Sequence, residues 1–146
     1  MWRSEAEVAL NDLEEFVREA ADLYADDAEV LAPGELADLF ADLAARRDRF
    51  ASRLADHIRR SGDLPVLPDA DRETFHRLGN RLRAALAADG RQALLEDRIA
   101  AEEELHQRIE QALAQPVGPE AESLLAEFRR DNQAARELLR ARLESP

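Results

Sequence analysis

The sequence predicts an all-α four-helix bundle, and three observations carry that prediction. Four long segments repeat apolar residues at alternating three- and four-residue intervals, the period of a helix with one buried face. Proline and glycine punctuate the chain between these segments, where they would end helices. Ala, Leu, Glu and Arg dominate the composition, and all are strong helix formers. With 146 residues, the chain is long enough to bury a sizeable core and is expected to form one domain over 1–146.

The first helix is expected at 4–28. Ser4 can cap it while Glu7 reaches back, a capping-box spacing. Leu10, Leu13, Val17, Ala20 and Tyr24 then mark one face, widened by Phe16 and Leu23. Pro33-Gly34 separates it from a second helix at 34–61, with Leu36, Phe40, Leu43, Phe50, Leu54 and His57 on its stripe and Ser61-Gly62 at its end. The stretch DLPVLPDAD reads as extended, and Phe75, Leu78, Leu82 and Leu86 then predict a short helix near 70–88, packed outside the bundle. A third long helix is expected at 90–114 and a fourth at 119–144. Pro119 suits the first turn of the fourth, where a missing amide costs nothing. Its stripe is Leu125, Phe128, Ala135, Leu138, Leu139 and Leu143.

Connection lengths set the topology. The turns at 31–34 and 115–118 are short enough to make two antiparallel hairpins. The crossover at 62–89 is long enough to return along the bundle, at about 1.5 Å per helical residue and about 3.3 Å per extended one. Two hairpins joined by a long crossover with a short extra helix make the ferritin-like arrangement.

Composition excludes several functions. A formal charge of −12 opposes nonspecific nucleic-acid binding and adhesion to an anionic membrane, which need a positive field. All 20 basic residues are Arg, which with the many Ala reads as the codon usage of a GC-rich bacterial genome. The acids are interspersed with these arginines, which argues against a DNA mimic. Without Cys there is no disulfide, thiolate site or cysteine nucleophile. No apolar run reaches the ~18 residues of a transmembrane span. The N-terminus is too acidic for a signal peptide, so a cytoplasmic location is expected.

The feature that asks for explanation is a polar layer at mid-height. The stripes are interrupted by Arg47, by Glu102 with His106, and by Asp131 with Asn132. One reading is a structural ion-pair layer of Arg47, Glu102, Asp131 and Asn132, held by forked, charge-assisted hydrogen bonds. The alternative is an iron site using Glu102, His106 and Asp131. A di-iron bundle needs one Glu from each of two helices and Glu-x-x-His from each of the other two. This chain has one such spacing, Glu103-x-x-His106, off the stripe, and Glu15 and Glu19 flank the first helix's stripe rather than lie on it. Arg47, with Arg46, would repel a cation. His57 and His76 read as isolated boundary histidines, and neither a Ser-His-Asp spacing nor a phosphate-binding glycine loop is present. The expectation is a non-catalytic protein without a cofactor, acting by self-association, as in a small dimer, or by association with another protein.

The segments LNDLEEFVREAADLY, ELADLFADLAARRDRFASRLADHIRRSG and ALLEDRIAAEEELHQRIEQAL resemble an uncharacterised bacterial family of ferritin-like four-helix-bundle proteins. The resemblance spans about Leu10 to Arg140, and its most specific element is Arg47-x-x-Phe50 followed by Leu54. It places Tyr24 on an aromatic position of the first helix and Glu102 on an acidic position of the third. The chain departs from the family pattern at Val17, Arg98 and Ala135, where cysteine, cysteine and histidine are expected, so no metal or redox role carries over at those positions. The resemblance implies a fold and no established activity.

Overall fold

The computed structural model describes residues 4–62 and 90–145. Those residues form four long helices: α1 (Glu5–Val30), α2 (Glu35–Arg60), α3 (Gly90–Leu113) and α4 (Pro119–Glu144). The all-α bundle expected from the stripes is the fold observed, with helix ends within two residues of those expected. The short helix expected near 70–88 lies outside the described residues.

Local chemistry explains the ends. Ser4 and Glu7 form the reciprocal capping box, which satisfies two amides that the first turn leaves without helical partners. Gly118 precedes α4 with φ of 91°, a left-handed conformation that side chains disfavour. Pro119 then occupies the first turn.

Side-chain pairs reveal the topology. From one end of α2 to the other, Glu35 meets Arg142, Arg46 meets Asp131, Arg53 meets Glu127 and Arg60 meets Glu120. Rising numbers on α2 meet falling numbers on α4, so the two are antiparallel. In the same way α1 runs against α3, through Phe16 with Arg108, Tyr24 with Glu102 and Asp27 with Arg98. Each helix packs on two neighbours: α1 on α2 and α3, and α4 on α3 and α2. Helices α2 and α3 are therefore diagonal and parallel, and side chains from both can meet on the bundle axis.

The core lies in two parts. Toward the 115–118 turn, Leu10, Leu13, Val17, Leu54, Ile58, Leu105, Ile109, Leu125 and Phe128 pack with Phe50, whose ring stacks on Phe128 at 4.3 Å. Toward the 31–34 turn, Tyr24, Phe40, Leu43, Leu94, Leu95, Ala135 and Leu139 form a smaller cluster. Two readings of the stripes are corrected. Leu138 is exposed, because Ala135 and Leu139 already occupy the inward positions of that turn. On α1, Glu14 is buried beside Leu13 and Val17, so an acid does lie on the edge of that helix's apolar face.

A candidate site at the bundle centre

Between the two clusters, Arg47 from α2 reaches the axis with its side chain fully enclosed, and Glu102 on the diagonal helix is 2% exposed. Long side chains are required here, since diagonal helices do not touch through their backbones. Glu102 Oε1 accepts from Arg47 Nη2 at 2.8 Å and Nε at 3.1 Å, and from the Tyr24 hydroxyl at 2.8 Å. Its Oε2 accepts from Asn132 Nδ2 at 2.7 Å, and the same amide donates to the Glu102 carbonyl at 2.9 Å. Arg47 Nη1 donates to Asp131 Oδ2 at 2.5 Å. Asp131 also accepts from Arg46, which turns outward toward Asp42. All four helices thus contribute to one hydrogen-bonded layer.

Burial and charge set the protonation of its members. Burial, followed by the neighbouring Glu102 carboxylate, raises the Tyr24 hydroxyl well above its usual range and keeps it a donor. Burial works against the Arg47 charge, but Glu102 and Asp131 outweigh it and hold the guanidinium above its ordinary value. The guanidinium also lies over the Phe128 ring at 5.3 Å, so one face rests on aromatic surface.

Of the residues singled out in the sequence, Arg47, Glu102, Asp131 and Asn132 therefore share one network. His106 does not join it: it is half-buried, and its Nδ1 has no hydrogen-bond partner. Glu102, His106 and Asp131 are not drawn together as a ligand set among the described residues. Both Glu102 oxygens are already engaged, a permanent cation lies between Glu102 and Asp131, and no group of three His, Cys, Asp or Glu among the described residues is arranged to hold a metal. A cation's place is taken by the protein's own guanidinium.

The sequence reading missed two participants. Tyr24 reads in the sequence as a core aromatic, yet its hydroxyl bonds the central carboxylate. Arg98 is also buried, 3.5 Å from the buried Asp27 and 5.8 Å from the Tyr24 ring centre. A signal for Arg98 existed, since Leu94, Arg98, Glu102, Leu105 and Ile109 continue a single stripe. For Asp27 there was only its place three residues after Tyr24. Of the other two positions that depart from the resembled pattern, Val17 and Ala135 are both fully buried.

Fold and centre together define a four-helix bundle whose mid-height is closed by a buried arginine–carboxylate layer. The model of the family described as domain of unknown function DUF2383 matches residues 5–115, and the chain belongs to that family. The match spans α1 to α3 with Tyr24, Arg47, Arg98 and Glu102, while Asp131 and Asn132 lie beyond it. No curated protein and no solved structure gives a significant match. No helix among the described residues is long and apolar enough to cross a membrane.

Proposed function

We propose that this chain is a non-catalytic, ferritin-like bundle that acts by protein association, with itself or with another protein. The observation that carries the reading is Arg47 filling the space between Glu102 and Asp131, so that the groups able to bind iron are spent on holding helices together. With the interior closed, what remains to act is the outer surface, where Val8 and Leu138 are the large apolar side chains exposed among the described residues.

Aerobic purification with added iron, followed by metal analysis and light scattering on a sizing column, tests this reading. The expected result is substoichiometric iron and a mass above that of one chain, or one chain that retains a stoichiometric protein partner. One equivalent or more of iron, lost on Glu102→Gln, would overturn it in favour of a metal-binding bundle using Glu102, His106 and Asp131.

A further inference from the structure

The seam between α2 and α4 differs from the other three. These two helices are the most loosely packed neighbours in the bundle, and ion pairs bridge the gap beside the Phe50–Phe128 stack. A groove of about 430 Å³ opens there, lined by Arg46, Arg49, Arg53, Arg130, Glu127 and Asp131 around Phe50. Four arginines against two carboxylates make a locally positive strip on a chain of net charge −12.

The carboxylates are already committed. Glu127 takes both guanidinium nitrogens of Arg53, at 3.1 and 2.9 Å, and Arg53 is the main reason its pKa is lowered. Asp131 takes Arg46 and Arg47. Between these two levels the antiparallel register brings Arg49 on α2 opposite Arg130 on α4. Both are exposed, and neither makes a hydrogen bond or salt bridge among the described residues; Arg130 adds a weaker pull on Glu127, whose main partner is Arg53. Two like charges at one height across a groove repel each other, and a bridging anion would turn that repulsion into attraction.

We propose that this groove binds a phosphate-type oxyanion between Arg49 and Arg130, independently of the association role above. A guanidinium presents a planar fork of donors that matches phosphate oxygens. A tetrahedral dianion can offer oxygens to both walls at once and balances both charges. A planar monocarboxylate presents two oxygens to one side and balances one charge. Phe50 forms an apolar floor held in place by its stack on Phe128.

The test follows the arginine Nε–Hε resonances of the intact protein during titration with inorganic phosphate, and in parallel with sodium chloride at matched ionic strength. Saturable shifts at Arg49 and Arg130 with phosphate alone are expected. Arg49→Gln should weaken binding by about tenfold or more, the loss of one charge-assisted contact. Arg49→Gln with Arg130→Gln should abolish binding while leaving the circular dichroism unchanged, since both side chains are exposed. A parallel titration with glycerol phosphate separates the sources: tighter binding than phosphate assigns the site to a phosphate ester, weaker binding to the free ion. Shifts that chloride reproduces, or that survive the double substitution, would overturn the proposal.

Discussion

The two parts of the core, on either side of the Arg47 layer, are built differently. Toward the 115–118 turn, fourteen buried apolar residues form one cluster among the described residues, with two stacked phenylalanines at its heart. Toward the 31–34 turn there are seven, and the remaining interior is polar: the Tyr24 hydroxyl, Asp27 and Arg98. Apolar contact is non-directional, so the first part is held by area. The second relies on charges that need particular partners, and its geometry is fixed more by hydrogen bonding than by volume. The central layer links the two, since Arg47 lies over Phe128 on one side and shares Glu102 with Tyr24 on the other.

Cutting that link should have the largest effect. Arg47→Met leaves Glu102 buried without its charge partner, and removing one member of a buried pair costs about 3–5 kcal/mol. Adding Glu102→Leu should recover part of the loss, because no unpaired charge then remains inside. Urea unfolding of the two single variants and the double variant measures this. If the double variant is no more stable than the additive sum of the singles, the pairing is not what holds the layer together.

Truncating leucines compares the two parts directly. Leu125→Ala and Leu95→Ala remove fully buried side chains from the larger and smaller clusters. Each should cost about 2–5 kcal/mol, the amount rising with the cavity left behind. The greater loss is expected for Leu125, whose surroundings are more completely apolar. Equal losses in urea melts would mean that the two parts are packed alike despite their composition.

How much of this difference was legible in the sequence follows from where each signal resides. Helix positions, the hairpins and the mid-height charges are encoded locally, in stripe spacing and in Pro33-Gly34 and Gly118-Pro119. Arg47 and Glu102 interrupt their own helices' stripes, so each is visible alone. Arg98 lies on its own helix's stripe, but its partner Asp27, near the end of α1, looks like any solvated residue until α1 lies against α3. Glu14 lies on the period of α1, four residues after Leu10 and three before Val17, but a charged residue at the edge of a stripe reads as solvated until the neighbouring helices cover it. Arg49 and Arg130 are a related case, ordinary surface arginines until the α2–α4 register sets them opposite each other.

A smaller effect should follow from Arg98→Met. Its contact with Asp27 is a 3.5 Å ion pair without a hydrogen bond, and Asp27 keeps other interactions. A loss of about 1–3 kcal/mol is therefore expected, the range for a buried polar group deprived of one partner. Hydrogen exchange should reveal it as faster opening of amides around Leu94, Leu95 and Ala135, with those around Leu125 little changed. Uniform acceleration throughout the bundle would mean that the two parts open together and the comparison has no dynamic counterpart.

The smallest expected effect concerns Glu14, the acid buried beside the larger cluster among the described residues. Burial raises the Glu14 pKa above its ordinary 4.5, against the pull of Arg18, which lies 3.0 Å away. A carboxyl whose folded pKa exceeds the unfolded value binds its proton more readily in the folded chain. Its favourable contribution is therefore complete below the unfolded pKa and is lost as pH rises through the folded one. At neutral pH the residue weighs slightly against folding, because the cost of enclosing its charge exceeds what Arg18 returns. Glu14→Gln should consequently give a modest rise in melting temperature at pH 7, and that advantage should shrink as the pH falls to 4 and below. An advantage that stays constant over this range would show that packing at position 14, rather than ionisation, sets the difference.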